Sequence, residues 1–259
     1  MPDTKIIDIR GRKLGAETPL ICSPLVGRTR ERLLTEAANV VAKKPDVIEW
    51  RVDYFDAIAD VTAVVEVARA MRATAGDMPI IFTRRSIKEG GEKITIGDEE
   101  VVRLYDAVGA SGFVDFIDFE MGNDAAHIRE VRDSTRAHGT RLILSYHNFG
   151  FTPGREFLVQ RFLEAERLGA DVAKVAVMPR DRGDVLALLA ATAEADAKAR
   201  IPLISMAMGP LGSVTRMIGG VFGSSLSFAI GEGSSAPGQI PIADLNAVYD
   251  VIRRARGKA

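Results

Sequence analysis

Apolar and polar positions along the chain follow two alternating patterns. Short runs rich in β-branched residues predict buried strands, and longer stretches in which apolar residues recur at every third or fourth position predict amphipathic helices. Ahead of these patterns, residues 4–9 and the following R-G-R-K-L-G predict a short β-hairpin. The predicted strands are Leu20–Leu25, Asp46–Asp53, Pro79–Arg85, Phe113–Glu120, Arg141–Asn148, Asp171–Met178, Pro202–Met208 and Ser225–Ile230.

Helical stretches separate most of these strands. The stretch E-F-L-V-Q-R-F-L-E-A-E-R-L-G-A ends at Gly169, a common helix stop, and D-V-L-A-L-L-A-A-T-A-E-A-D-A-K-A consists almost entirely of strong helix formers. Asp244–Arg256 predicts a last amphipathic helix. Strands that alternate with helices at spacings of roughly 23 to 34 residues predict an α/β fold of the (β/α)8 TIM barrel type, with the N-terminal hairpin closing the bottom of the barrel.

Chain length agrees with this fold. The chain has 259 residues, close to the roughly 250 that are typical of such a barrel. A doubly wound open sheet is the alternative, but no G-x-G-x-x-G follows the first strand and the sequence contains no P-loop. No linker or low-complexity segment divides the chain, so we predict a single barrel domain over residues 1–259.

Composition and charge narrow the possible partners. The chain has 34 basic and 35 acidic residues and a net charge of −1, which gives no electrostatic reason to expect nucleic acid or an anionic membrane as a partner. No apolar run approaches the roughly 20 residues that span a bilayer, and the first residues lack the pattern of a secretory signal. Cys22 is the one cysteine, so no intrachain disulfide forms. We predict a cytoplasmic protein in which Cys22 is a core residue.

Lys174 stands in the middle of the apolar run Asp171–Met178. Burial disfavours the ammonium form, and an uncharged amine is the form that attacks a carbonyl and forms an imine. Alternatively, the lysine extends its charged end from a strand terminus to water. The strand by itself leaves both readings open.

Other charged side chains fall where the strands end, which in a barrel is the end that carries the active site. Glu49, Arg51 and Asp53 share one face of their strand, and Ser145 and His147 share one face of theirs. His127 and His138 lie in helices or loops, so no two-histidine cluster and no metal site is predicted. The residues expected to converge are Glu49, Arg51, Arg85, Glu89, Asp118, His147, Lys174 and Arg216.

Five segments, in order, resemble one enzyme family. They are E-W-R-V-D at Glu49–Asp53, F-T-x-R-S-x-K-E-G-G-E at Phe82–Glu92, S-x-H-N at Ser145–Asn148, K-V-A-V-M-P at Lys174–Pro179 and S-A-P-G-Q at Ser235–Gln239. The joint pattern covers nearly the whole chain and is similar to that of type I 3-dehydroquinate dehydratases. The resemblance implies a cytoplasmic, homodimeric hydro-lyase that converts 3-dehydroquinate into 3-dehydroshikimate in the shikimate pathway, with no cofactor and no metal.

Roles for individual residues follow from the matching positions. The resemblance implies that Lys174 forms the Schiff base, that His147 donates and accepts protons, and that Glu89 orients His147. It further implies that Asp118 supports His147 without contacting the substrate itself. The residues that would bind substrate are Ser23, Glu49, Arg51, Arg85, Arg216, Ser235, Gln239, Met206, Met208 and Phe228.

Two other functions remain open at this point. A class I aldolase acting on another oxo acid would also use a strand lysine, and the glycines and Arg216 near the last strands would suit a phosphate site. A catalytically silent barrel that binds a small carboxylate would show affinity for its ligand without covalent chemistry.

Overall fold

An antiparallel hairpin is the first element of the protein, whose computed structural model describes residues 5–257. Strands β1 (Ile7–Ile9) and β2 (Arg12–Leu14) pair across a turn in which Arg10 and Gly11 have φ of 49° and 76°. The predicted hairpin is therefore confirmed, although its residue 4 lies outside the described residues. Glycine adopts such a φ at no steric cost, which explains the R-G-R turn.

Eight parallel strands follow, each hydrogen bonded to the next along the chain. The barrel closes where Ser225 N donates to Leu203 O at 2.7 Å, and a ninth short strand, β11 (Ile240–Pro241), extends the sheet beside the last barrel strand. The predicted barrel is confirmed. Its strands are β3 (Leu20–Leu25), β4 (Val47–Arg51), β5 (Ile80–Thr83), β6 (Phe116–Glu120), β7 (Arg141–Asn148), β8 (Val172–Val177), β9 (Leu203–Ala207) and β10 (Leu226–Ile230).

The predicted and observed strands differ mainly at their ends. β3 and β7 have the predicted bounds, whereas the predicted strand Asp46–Asp53 ends at Arg51 and continues as a 3₁₀ turn over Val52–Tyr54. Arg51 pairs with Thr83, the last residue of β5, so the chain beyond Arg51 has no neighbouring strand to pair with. Asp53 is thereby part of a turn and not of the sheet.

Helices cover the outside of the barrel. Several begin at a side-chain cap: Thr29 Oγ1 accepts from Arg32 N at 3.3 Å, and Asp181 Oδ1 accepts from Asp184 N at 3.0 Å. No helix in the described range 5–257 is long and apolar enough to cross a membrane. The helices are α1 (Arg30–Ala42), α2 (Val61–Ala75), α3 (Asp98–Ala110), α4 (Ala125–His138), α5 (Arg155–Arg167), α6 (Arg182–Lys198), α7 (Gly209–Ile218) and α8 (Ile242–Ala255).

Apolar side chains fill the lower half of the barrel interior, and the hairpin seals them from below. Cys22 is fully buried there, as predicted, among inward side chains such as Ile143 and Ile204. Leu14 of β2 packs into the same cluster and is 2% exposed. Arg10 Nε lies 2.6 Å from Asp115 Oδ1 and ties the turn of the hairpin to the chain just before β6. One end of the barrel is therefore closed, and only the other is free to hold a site.

Because Leu14 helps to seal the barrel, truncating its side chain should destabilise the fold. Leu14→Ala should lower the free energy of unfolding by about 2–5 kcal/mol, because it leaves a cavity in a tightly packed interior. Leu186 is a matched control, since it lies on α6 and is 66% exposed; Leu186→Ala should change the same free energy by less than about 0.5 kcal/mol. Urea denaturation measures both, and equal effects of the two substitutions would contradict the sealing role.

Candidate active site

Strand alternation separates the charged residues from the apolar ones at the open end of the barrel. On β4, Glu49 and Arg51 point inward, whereas Trp50 points outward and is fully buried under the helices. The Trp50 ring meets the Phe82 ring edge to face, with centroids 5.3 Å apart. The apolar positions of E-W-R-V-D thus anchor the strand, and its charged positions face the barrel axis.

These inward side chains form a cavity of about 410 Å³ at the C-terminal ends of the strands. Most of the residues predicted for the site lie in its wall, together with four that were not predicted: Gly90, Phe149, Ala176 and Ala236. The predicted residues that line the cavity are Glu49, Arg51, Arg85, Glu89, His147, Lys174, Met206, Met208, Phe228, Ser235 and Gln239.

Lys174 projects from β8 into the floor of this cavity and is 4% exposed. Its Nζ lies 2.7 Å from Asp118 Oδ2, 3.5 Å from Glu49 Oε1 and 4.5 Å from the centroid of the Phe228 ring. The sequence predicted that Glu49, Asp118 and Lys174 converge at this end of the barrel, and these distances place them together. The strand neighbours of Lys174 are apolar, but its end reaches inward to carboxylates that β4 and β6 supply from across the barrel.

Asp118 is the central acceptor beneath the cavity. Its Oδ1 accepts from Arg85 Nη2 at 2.8 Å and from Ser145 Oγ at 2.6 Å, while its Oδ2 faces Lys174. Burial alone would raise the pKa of Asp118, but the Arg85 and Lys174 cations outweigh burial and hold that pKa well below its usual range. The carboxylate was expected to support His147, yet its hydrogen bonds are directed to Arg85, Ser145 and Lys174.

His147 and Glu89 form a second polar pair at the rim of the cavity. One oxygen, Glu89 Oε2, lies 2.8 Å from His147 Nδ1 and also accepts from the His147 backbone N–H at 3.0 Å. Because that oxygen already acts as an acceptor, we assign the ring proton to Nδ1, which leaves Nε2 as a proton acceptor. The predicted pairing of these two side chains is present.

Burial and neighbouring charges perturb both members of this pair. Burial, together with the Arg85 and Lys174 cations, lowers the pKa of His147 well below its ordinary value. Burial also raises the pKa of Glu89, with Arg85 opposing the rise and Glu120 adding to it. The imidazole is therefore neutral at physiological pH, the form that accepts a proton.

Arg216 lies just behind the cavity wall rather than in it. The residue is 1% exposed, and its guanidinium meets only weak acceptors at 3.4 Å: Met206 Sδ, the Phe228 carbonyl and the Pro237 carbonyl. Within residues 5–257 no carboxylate forms an ion pair with it, and its Nε has no hydrogen-bond partner. Burial without a counter-ion lowers the pKa of Arg216 to about 10. The geometry suits an anionic group supplied from outside the chain.

Two segments beside the cavity place the remaining predicted residues. Gln239 Nε2 donates to Ser235 Oγ at 3.3 Å, and Ser235 N donates to Gln239 Oε1 at 3.3 Å, so the segment after β10 is held by its own side chains. Ser23 is different: the structure does not bring it into the cavity. Cys22 points into the barrel, so Ser23 next to it points outward, toward Gly231 and Val40.

Three buried residues that support the site were not predicted: Asp53, Glu120 and Ser145. They are at most 4% exposed, and each hydrogen bonds to a residue that lines the cavity. The alternation of the strands carried the signal for Glu120 and Ser145, which share their inward faces with Asp118 and His147. No group of three or more His, Cys, Asp and Glu side chains that could hold a metal occurs in the part of the chain that the structure describes.

Comparison with known proteins gives a consistent result. The 3-dehydroquinate dehydratase of Albidiferax ferrireducens is 54% identical over 258 residues, which is 99% of this chain and 98% of that protein. Its counterpart in Aromatoleum aromaticum is 48% identical, with 98% of each chain covered. The crystal structure of 3-dehydroquinate dehydratase from Geobacillus kaustophilus HTA426 superposes with a TM-score of 0.95 at 45% identity, covering 98% of this chain and 99% of that one.

A second solved structure and a family model agree with these relatives. The crystal structure of type I 3-dehydroquinate dehydratase from Clostridium difficile, solved with covalently modified comenic acid, matches with a TM-score of 0.94 at 36% identity and covers 98% of this chain and all of that one. The model described as type I 3-dehydroquinase matches residues 21–256, and the chain belongs to the type I 3-dehydroquinase family.

Proposed function

We propose that this protein dehydrates 3-dehydroquinate to 3-dehydroshikimate, as a lyase of the shikimate pathway, through an imine on Lys174. The observation that carries the proposal is one cavity that holds a buried amine, a neutral histidine and, behind its wall, an arginine that has no ion pair within residues 5–257. Those groups are the ones that elimination of water from a β-hydroxy ketone acid requires. Membership of the type I family supports the same reaction.

The reaction begins when the ammonium of Lys174 gives up a proton, its Nζ attacks the ketone carbon of the substrate, and the ketone oxygen takes up that proton as it becomes the carbinolamine hydroxyl. The resulting carbinolamine loses water and becomes an iminium ion, which withdraws electrons from the neighbouring carbon and acidifies its C–H bond. The nearby Asp118 carboxylate, 2.7 Å from Nζ, stabilises the positive charge that the nitrogen carries before attack and again as the iminium.

His147 then acts on the acidified carbon as a general base. Its Nε2 takes the proton, and Glu89 holds the ring in the tautomer that makes this possible. The electron pair of the broken C–H bond forms an enamine, which expels the β-hydroxyl group, and protonated His147 returns its proton so that water leaves. Hydrolysis of the conjugated imine releases 3-dehydroshikimate and restores Lys174. No cofactor takes part in this sequence.

Substrate orientation falls to the groups around the amine. Arg216 binds the substrate carboxylate, which replaces its weak contacts at 3.4 Å with charge-assisted hydrogen bonds. Polar substrate groups meet Glu49, Arg51 and Arg85, and the ring lies between apolar walls. Those walls and the closing segment comprise Met206, Met208, Phe228, Ser235 and Gln239.

The wider biological setting is also part of the proposal. We propose that residues 1–259 act as a single catalytic domain, that the enzyme is a cytoplasmic homodimer, and that neither nucleic acid nor membrane is a partner. The near-neutral charge supports the absence of nucleic-acid and membrane partners, and the single cysteine supports the cytoplasmic assignment. Family membership supports the dimer, which light scattering of the purified protein would measure.

Trapping the imine tests the central step. With 3-dehydroquinate and borohydride, peptide mass spectrometry should find a reduced adduct on Lys174. Lys174→Ala and the size-matched Lys174→Met should lower kcat by roughly 10⁴-fold or more, because both remove the nucleophile. Lys198, which lies on α6 with a side chain that is 54% exposed, serves as the control, and Lys198→Ala should leave kcat unchanged.

Each rival function gives a different result in the same experiment. A silent carboxylate-binding barrel would bind substrate without any adduct, and a class I aldolase would form an adduct without releasing 3-dehydroshikimate. Turnover without an adduct on Lys174 would contradict the imine mechanism.

His147→Ala should separate imine formation from dehydration. The variant retains the amine, so the Lys174 adduct should still form, whereas proton removal should slow by roughly 10²–10⁴-fold. Rapid-quench measurement of the adduct and of 3-dehydroshikimate would show an intermediate that accumulates. Unchanged dehydration kinetics would exclude His147 as the base. His138 is the control, because its ring meets Asp106 on the protein surface, and His138→Ala should behave as the unmodified enzyme.

The role of base also predicts how the His147 ring titrates. Burial lowers the pKa of His147 well below the ordinary 6.5, so the ring should remain neutral at pH 6 and take up a proton only on further acidification. Nitrogen-15 NMR of the ring measures this directly, and a chain with three histidines makes assignment simple. A ring that becomes half protonated at or above pH 6.5 would contradict the assignment.

A further inference from the structure

Asp53, the last residue of the E-W-R-V-D segment, has no role in the chemistry described above, yet its side chain is fully buried. The carboxylate accepts four hydrogen bonds. Oδ1 accepts from Arg51 Nε at 2.8 Å and from Arg85 N at 3.2 Å, and Oδ2 accepts from Arg51 Nη2 at 2.8 Å and from Glu92 N at 3.1 Å. One side chain therefore connects a cavity arginine with two points of the backbone.

Those two backbone points are the beginning and the end of one loop. Residues 85–92 leave β5 and return to the same place, where Asp53 binds Arg85 N and Glu92 N with its two oxygens. Inside the loop, Gly91 N donates to Ser86 O at 2.8 Å. A Cβ on Gly91 would lie 1.9 Å from Arg85 O, so the loop closes tightly only because residue 91 is glycine. Asp53 is the clasp of this closed loop.

Glu89 lies on the loop that Asp53 clasps. A single oxygen of Glu89 must meet both the backbone N–H and Nδ1 of His147, at 3.0 and 2.8 Å. Hydrogen bonds at these distances weaken steeply when donor and acceptor move apart or out of line, so a displaced loop would lose both together. Glu120 Oε1 holds the loop at a second point, Ser86 N, at 2.6 Å.

Arg51 is connected to the same carboxylate by a bidentate contact. Two parallel N–H···O bonds fix the plane of a guanidinium as well as its position. With Nε and Nη2 directed to Asp53, Nη1 is the nitrogen left to reach a ligand from the cavity wall. The Tyr54 ring, whose centroid is 5.1 Å from Arg51 Cζ, limits movement of the same guanidinium.

We propose that Asp53 is a positioning residue. It fixes the position of the substrate-binding arginine Arg51 relative to the loop that carries Glu89, the residue that orients the base. The roles of Arg51 and Glu89 in this inference rest on the proposed function, whereas the mechanical connection rests on the contacts alone. A carboxylate that merely stabilised the turn after β4 would affect folding without any specific effect on His147 or on substrate affinity.

Asp53→Asn tests the connection with little change in size. If the amide oxygen of the replacement side chain takes the position of Oδ1, the amide NH₂ takes the position of Oδ2. That NH₂ group is a donor, and it then faces two other donors, Arg51 Nη2 and Glu92 N–H. We expect KM to rise roughly tenfold or more, because a charge-assisted hydrogen bond that positions Arg51 is lost. We also expect the His147 ring to titrate at a pH nearer its ordinary value, because a looser loop exposes the ring to water.

Two further variants separate the two halves of the proposal. Gly91→Ala opens the loop without changing the Asp53 or Arg51 side chain, so it should shift the His147 titration; its KM is not informative, because the added Cβ also displaces the substrate-binding Arg85. Arg51→Lys removes the bidentate guanidinium contact without opening the loop, so it should raise KM and leave the pH at which His147 titrates unchanged. Asp56→Asn is the matched control: this carboxylate lies in the same segment, its side chain is 63% exposed, and neither quantity should change.

Borohydride labelling of Lys174 counts active sites, so that misfolded protein does not lower the kcat of a variant; KM does not depend on that count. Asp53→Asn with unchanged KM and an unchanged His147 titration would overturn the proposal. If that variant does not fold, Gly91→Ala decides, and a His147 titration that remains in place there also overturns it. Failure of the proposed function is distinct: the unmodified protein would then not dehydrate 3-dehydroquinate, while the His147 titration of each variant could still be measured by NMR.

Discussion

The ion pair between Asp118 and Lys174 is the constraint on which the rest of the site depends. An ammonium and a carboxylate that are both buried must stay together, since either one alone would be an uncompensated charge in a barrel interior. Asp118 can hold Lys174 because Arg85 and Ser145 occupy its other oxygen. Arg85, which follows β5, pairs with Asp118 and Glu120 of β6 and donates to Ser145 Oγ of β7 at 2.9 Å, so one arginine joins three strand ends.

This arrangement divides the barrel into two halves of different chemistry. Below the ion pair, apolar side chains and the hairpin fill the barrel interior and exclude water. Above it, loops carry Glu89 and the segment that contains Ser235 and Gln239. The reactive amine therefore stands on a rigid strand, while the groups that adjust to a ligand stand on loops, an arrangement typical of barrel enzymes.

The barrel and most of the site were predictable from sequence, because strand alternation fixes which face each residue occupies. That rule predicts from the sequence alone that Glu49, Arg51, His147 and Lys174 lie close together. It could not show that carboxylates from β4 and β6 reach the amine, because contacts across a barrel depend on its closure. Ser23, which the resemblance placed among the substrate-binding residues, points outward because its strand neighbour Cys22 points into the barrel.

Loops were the least predictable part, for a physical reason. The segment that carries Glu89 has no periodicity, and its shape comes from Asp53, which is distant in sequence, and from the close approach at Gly91. The strand predicted through Asp53 stops at Arg51, and this early end turns the Asp53 carboxylate toward the loop. A local deviation from regular structure thus creates the long-range contact.

Arg216 is a buried cation without a counter-ion among residues 5–257. A guanidinium buried without a counter-ion costs free energy in the folded state, and an anion that reaches it removes that cost. Part of the free energy of carboxylate binding therefore comes from removing this destabilisation of the folded state. Ligand binding and global stability are linked through this one side chain, so a substrate-like acid acts on the barrel as a stabilising ligand as well as a reactant.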